Sequence, residues 1–288
     1  MAYYSVCSIN IETDCLLSNS FRPFLLPDGK RPERIDMTVR QAEKPYSTQG
    51  LRKTADLPDM TVFEEDGPDG RVFRRIFALK IRIGMISADS EYRNVEYCFL
   101  DEFSFLGKDW IGNLFSQFFY LVIRCRMILN GFVVLHSACV ELRGKAYAFT
   151  GPSGIGKSSR ASKWCELFSA DWISGDRPAI RVCDAMAYGV PWDGKEAIYR
   201  NTSFPLAVIL KVSRSESAQI KDLSDTDKLQ LLCEQTFLPL WDAKLAAQGI
   251  ALLKRLSVRI PVYEICCDIT DDSIKKAKTD LFQKLSNR

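Results

Sequence analysis

Gly151-Pro152-Ser153-Gly154-Ile155-Gly156-Lys157-Ser158 fits the pattern G-x-x-x-x-G-K-[ST] at every fixed position. Glycines let the backbone curl so that successive N–H groups point inward and form a nest for an anion. Lys157 can reach terminal phosphates as a point charge, and Ser158 can place its hydroxyl on a bound Mg²⁺. The helix expected next aims its positive end at the same spot. Gly151, Ser153, Gly154, Ile155, Gly156, Lys157, Ser158 and Ser159 are therefore the candidate nucleotide-binding residues.

The context of the loop agrees with this reading. Residues 146–150 are short, apolar and aromatic, which predicts a strand entering the loop. Residues 158–168 lack Gly and Pro and carry Ala161, Trp164, Cys165 and Leu167 at helical spacing, which predicts a helix leaving it. Upstream, 132–141 and 145–150 flank Arg143-Gly144, the signature of a hairpin. The strand entering the loop is then the second arm of an antiparallel hairpin. In ordinary phosphate-loop folds it belongs to a parallel βαβ sheet.

Bulk composition narrows the function classes. At 288 residues the chain has room for one large or two small domains. A net charge of +3 gives no whole-chain case for nucleic acid or a membrane as partner. The single histidine, His136, rules out a His-rich zinc site within one chain. The ten cysteines show no C-x-x-C spacing, and the start lacks a basic segment followed by a long apolar one. Reduced thiols in a cytoplasmic protein are expected.

Two regions are expected. Residues 1–105 read as β-rich, with strands near 5–12, 35–39, 60–64, 71–76, 81–86 and 95–100. Pro27-Asp28-Gly29 reads as a turn, and the acidic stretch 65–70 as a solvated hairpin loop. This region shows no chemistry of its own, and recognition of a substrate is the role left for it. Residues 106–288 carry the loop. They begin with a helix over 109–129, in which Leu114, Phe118, Leu121, Cys125 and Ile128 form one stripe, read as a packing helix joining the halves. After the loop helix come strands at 171–176, 179–183, 187–190, 204–211 and 262–267, and helices at 225–232, 241–256 and 271–285.

Four sets of residues could serve the chemistry. Asp176 ends an apolar strand after the loop helix, the place for a carboxylate that holds Mg²⁺ with Ser158. His136 lies in the hairpin arm beside the strand that enters the loop, and could bond a phosphate or move a proton. Asp193 and Lys195 share the loop Pro191-Trp192-Asp193-Gly194-Lys195-Glu196, which could cover a nucleotide or hold a substrate. Arg177 and Arg200 could neutralise phosphate charge.

Taken together, His136-Ser137-Ala138, Gly144, the loop with Ser153-Gly154-Ile155-Gly156-Lys157-Ser158, and Asp176-Arg177 resemble the C-terminal kinase domain of HPr kinase/phosphorylase. Pro191-Trp192-Asp193-Gly194-Lys195 is similar to a Pro-Trp-x-Gly-Lys element common in the broader HPr kinase-like set. The resemblance covers residues 131–212 well and the rest weakly. It implies an α/β (α+β) fold related to phosphoenolpyruvate carboxykinase, with the loop on a mixed, largely antiparallel sheet. It also implies ATP and Mg²⁺, and phosphoryl transfer to a hydroxyl, with serine of a protein or peptide as the leading acceptor. Some relatives tailor peptides in natural-product pathways, and the namesake is a homo-oligomer. Two positions depart from the namesake: Pro152 and Gly175 stand where it has acids. A module that binds ATP and recognises a peptide without transferring phosphate is the alternative those departures leave.

Overall fold

The computed structural model describes all residues except 15–16, 28–29, 44–46, 48, 59, 68–71, 79–83, 100–107, 193 and 288. The turn at 27–29, the loop at 65–70 and the strand expected to begin at 81 run into undescribed residues. The chain forms two compact units, residues 1–130 with 239–246, and residues 131–238 with 247–288. Each is built on one mixed sheet, which makes the fold α+β.

The first unit holds eight strands: β1 Ala2–Val6, β2 Ile9–Thr13, β3 Met37–Gln41, β4 Arg52–Asp56, β5 Met60–Asp66, β6 Val72–Ala78, β7 Gly84–Asp89 and β8 Asn94–Phe99. Their order in the sheet is β1-β2-β3-β8-β7-β6-β5-β4. The single strand expected over 5–12 is instead a hairpin. Cys7 and Ser8 both take positive φ, 53° and 64°, as the tightest hairpin turns require. No glycine marks that turn, so the sequence conceals it. Helix α1, Lys108–Leu129, belongs to this unit, so the compact units divide at residue 130 and not near 105. The reason is packing. Phe119 of α1 meets Phe21 edge-on at 5.4 Å, and Arg126 donates to the Glu91 carbonyl at 3.1 Å.

The second unit contains β9 Phe132–Val134, β10 Ser137–Leu142, β11 Lys145–Thr150, α2 Lys157–Phe168, β12 Asp171–Ser174, β13 Ala179–Arg181, β14 Met186–Tyr188 and β15 Ser203–Ser213. Then come β16 Gln219–Asp222, α3 Asp225–Glu234, α4 Ala243–Arg259 (of which 243–246 count with the first unit), β17 Val262–Cys266 and α5 Asp271–Ser286. The sheet runs β12-β10-β11-β15-β14-β13-β9, with β17 also on β15 and β16 on β17. β10 and β11 form the expected hairpin, from Ser137 opposite Thr150 to Leu142 opposite Lys145. On its other side β11 pairs with β15 in parallel, and β15 pairs with β17 in parallel. The loop strand therefore has one antiparallel and one parallel neighbour.

One correction concerns His136. The arm expected over 132–141 is two strands, and His136 falls in the break between them rather than within one. β9 pairs with β13, whereas β10 pairs with β11 and β12, so the chain must change partners at Leu135-His136. The His136 amide is held there by the Gln235 carbonyl at 2.6 Å.

Trp164 anchors α2 to the sheet. It is fully buried against Tyr147 and Phe149 of β11, at 5.1 and 5.2 Å between ring centres, and shares its core with Ile274, Ala277 and Leu281 of α5. A core side chain of this size is worth about 3–5 kcal/mol against alanine. That docking fixes where the first turn of α2 points.

Among the described residues no helix is long and apolar enough to cross a membrane.

Candidate functional site

The loop between β11 and α2 adopts the conformation its glycines permit. Gly151, Gly154 and Gly156 have φ of 137°, 78° and 105°. Gly156 caps α2 in the left-handed region and, being glycine, offers the first-turn amides no side-chain acceptor. Those amides are left for an external acceptor. Helices α3 and α5 contrast with it. α3 is capped by Ser224, whose Oγ accepts from the Asp227 amide at 3.1 Å, and α3 and α5 both start with acids. The first turn of α2 has no acid and carries Lys157 and Arg160. Its positive end is thus undiluted.

Lys157 is buried, and its ammonium donates to the carbonyls of Gly151 and Pro152 at 3.0 and 3.1 Å. The cation lies across its own loop, with no carboxylate bonded to it among the described residues. Burial lowers its pKa, opposed by the Asp176 carboxylate and helped by the Arg177 cation. A phosphate would supply the negative charge that this buried group lacks.

His136 and Asp176 meet beside this lysine. Nε2 of His136 stands 3.7 Å from Oδ1 of Asp176, and Arg177 Nε donates to Oδ2 of Asp176 at 3.2 Å. Burial pulls the imidazole below its ordinary pKa. Lys157 and Arg177 push it the same way, and Asp176 opposes them. The shift favours the neutral imidazole, which has a nitrogen able to accept a proton.

Backbone and side-chain bonds fix this pair. Thr150, the last residue of β11, donates its hydroxyl to the His136 carbonyl at 2.9 Å. The Arg177 amide donates to the Ser137 carbonyl at 3.2 Å, and Ser174 Oγ to the Asp176 carbonyl at 2.8 Å. Arg177 is held in the left-handed region, at φ 58°. Trp192 completes the clamp, its indole N–H donating to the Arg177 carbonyl at 3.1 Å. Gly194 crosses directly over Asp176: a Cβ built on it would lie 3.3 Å from the Asp176 Cβ.

The remaining sequence candidates are placed differently. Lys195 is exposed on the Trp192 loop, and Asp193 lies outside the described residues. Arg200 is near Asp171, at 3.8 Å, at the opposite end of β12 from Asp176. Its carbonyl backs onto Gly189, where a Cβ would come within 2.0 Å of it. Arg200 stands apart from the cluster.

Oxygen donors for a divalent cation are the Ser158 hydroxyl and the Asp176 carboxylate. No group of three or more His, Cys, Asp or Glu that could hold a metal occurs among the described residues. Mg²⁺ bound with phosphates needs only one or two protein carboxylates. The donor set therefore suits an ion that arrives with a nucleotide.

Sequence reading missed Thr150, Ser174 and the clamping role of Trp192. It also missed Arg160 and Arg214, which flank the loop on its β15 side. Arg214 donates to the Gly154 carbonyl at 3.1 Å. The only signal for Arg160 was its place one turn into α2.

No protein-family profile and no curated protein sequence matches this chain.

Proposed function

We propose that this chain is an ATP-dependent phosphotransferase that moves the γ-phosphoryl group to a hydroxyl, with serine of a protein or peptide as the acceptor class. The observation that carries the reading is the convergence on one loop of a buried lysine bonded to backbone carbonyls and a histidine facing an aspartate. The hairpin that delivers the loop, and its parallel neighbour β15, also favour the HPr kinase-like, phosphoenolpyruvate carboxykinase-related variety of phosphate-loop fold.

Each residue has a part in the transfer. The loop amides hold the β- and γ-phosphate oxygens, and Lys157 gives up its two carbonyls to neutralise them. Ser158 and Asp176 would hold Mg²⁺, which supplies further charge neutralisation on the phosphates. Asp176 already bonds Arg177 through Oδ2 and faces His136 through Oδ1. That leaves His136 as the base. The acceptor hydroxyl oxygen forms a bond to the γ-phosphorus, the bond from γ-phosphorus to the bridging oxygen breaks, and ADP leaves with the electron pair. His136 Nε2 takes the hydroxyl proton. Positioning and charge stabilisation supply most of the acceleration.

The test is incubation with γ-labelled ATP, Mg²⁺ and the peptides or proteins encoded beside the gene, read by mass spectrometry. A gain of one phosphate on a hydroxyl, lost in Lys157→Ala, supports the assignment. Tight ATP binding without transfer to any acceptor would establish the alternative, a nucleotide-dependent recognition module.

A further inference from the structure

The sheet order gives the phosphate loop two different neighbourhoods. β11, from which the loop departs, lies between β10 and β15. His136 and Asp176 are on the β10 side, since His136 precedes β10 and Asp176 follows β12, the partner of β10. On the β15 side is a cavity of about 570 Å³. Ile155 and Arg160 line it from the loop and α2, Arg214 and Glu216 from beyond β15, and Asp268 and Ile269 from beyond β17. β11, β15 and β17 are parallel and end at this edge. The crevice beyond the carboxyl ends of parallel strands is where open sheets of this kind take ligands. The volume is within the usual range for a small-molecule site.

The wall chemistry says which part of a ligand fits. Arg160 is 3% exposed and donates to the Ser213 and Cys267 carbonyls, joining the ends of β15 and β17 to α2. Arg214 is used on Gly154. Two carboxylates, Glu216 and Asp268, balance these two cations. The cavity therefore has no surplus positive charge and is a poor second phosphate site. Its apolar surface is Ile155 and Ile269. Ile269 is 45% exposed, an unusual degree for such a side chain. A nucleobase presents two apolar faces and a polar edge, and ribose presents hydroxyls that carboxylates accept from. Asp268 already accepts from Thr270 N and Oγ1, at 2.9 and 2.6 Å, which leaves Glu216 at the mouth for the ribose.

We infer that this cavity takes the purine nucleoside of the nucleotide whose phosphates occupy 151–158. The base packs between Ile155 and Ile269, and the ribose hydroxyls donate to Glu216. The nucleotide then lies across the sheet edge from β17 towards β10, so that its terminal phosphate faces His136 and Asp176. The inference rests on the phosphotransferase reading, and gives it a direction along which the acceptor must approach: from the β10 and β12 side.

Titration calorimetry on the full chain separates the two. Mg·ATP and Mg·tripolyphosphate are compared on the wild type, Ile269→Asp and Lys157→Ala. The wild type should bind ATP at least about tenfold more tightly than tripolyphosphate. Ile269→Asp should lower ATP affinity about tenfold, the size of a lost apolar contact, and leave tripolyphosphate unchanged. Lys157→Ala should weaken both. Equal affinity for the two ligands, with Ile269→Asp neutral, overturns the cavity assignment and leaves the loop reading standing. Binding of neither ligand by the wild type overturns both. Ile269 is outside the core, so the variant should fold. Photolabelling of the wild type with 8-azido-ATP gives an independent readout. Label on 214–216 or 268–269 supports the assignment, and label confined to other segments overturns it.

Discussion

The two units are built alike and spend their charges differently. Each has a mixed sheet of eight or nine strands. In the first unit several buried charges have charged or multiple polar partners, Arg126 on the Glu91 carbonyl being an exception. Arg74 meets Asp242 at 2.7 Å with both side chains largely buried, Glu12 pairs with Arg31 and Arg40, and Asp89 accepts from the amides of Glu91, Arg93 and Asn94. In the second unit Lys157 is buried on backbone carbonyls alone among the described residues, and His136 faces Asp176 at 3.7 Å, too far for a hydrogen bond. A charge with a short, satisfied partner serves the fold. Arg160 shows that a buried cation on backbone carbonyls can also serve the fold; what sets Lys157 apart is its place in a phosphate-type loop beside the loosely paired His136 and Asp176.

The sharpest way to break this comparison is to remove one buried cation from each unit. Lys157→Ala should lower phosphoryl transfer by about a hundredfold or more, as loss of a transition-state charge partner does, while its unfolding free energy stays near that of the wild type. Arg74→Ala should do the reverse. It strands Asp242 and should cost about 3–5 kcal/mol in denaturant unfolding. Transfer per folded molecule should survive. Equal stability losses in the two variants would mean that Lys157 is a structural cation like Arg74, and the contrast would fall.

A smaller effect concerns His136 and its proton. Its pKa lies below the ordinary 6.5 because burial and two nearby cations disfavour the imidazolium. A base must be neutral to act, so transfer should rise with pH through a value below 6.5 and then level off. His136→Gln should lower the plateau by about 10²–10⁴-fold and abolish that limb. A limb that persists in His136→Gln, in the carboxylate range, would transfer the base role to Asp176.

The loop itself, its strand and its helix were legible because each depends on local chemistry. Glycines at fixed spacing, an apolar strand and a helical stripe carry their own signal, and the hairpin at Arg143-Gly144 does too. Asp176 was legible because it ends the apolar stretch 171–176 that follows the loop helix. What escaped depends on distant partners. His136 sits in a break because β9 and β10 pair with different strands, and no residue near it announces that. The β1–β2 turn uses Cys7 and Ser8 in conformations that glycine usually takes. α1 joins the first unit through residues far from it in sequence, among them Phe21 and Glu91. The cavity walls come from the ends of three strands, and no motif links 155, 214 and 269.

The smallest expected effect tests how closely the Trp192 loop governs the site. Gly194 has ordinary backbone geometry, so conformational strain is not what excludes a side chain there. Proximity is: its Cβ would lie 3.3 Å from the Asp176 Cβ and 3.5 Å from the Glu196 carboxylate. That contact is tight but yields to a shift of a few tenths of an ångström. The shift is available to the loop, which is partly exposed, and is resisted by Asp176, which Ser174, Arg177 and the Trp192 clamp hold in place. Gly194→Ala should therefore displace the loop slightly, with stability changed by less than about 1 kcal/mol, while Gly194→Val, with more bulk at Cβ, should press on Asp176 as well. Misplacement of about 1 Å at a reacting centre can cost about a hundredfold, so a fraction of that displacement should lower transfer by roughly tenfold in Gly194→Val. Tripolyphosphate binding, which depends on the loop 151–158, should not change. Loss of tripolyphosphate binding in Gly194→Val would mean that the Trp192 loop shapes the phosphate cradle itself rather than the carboxylate beside it.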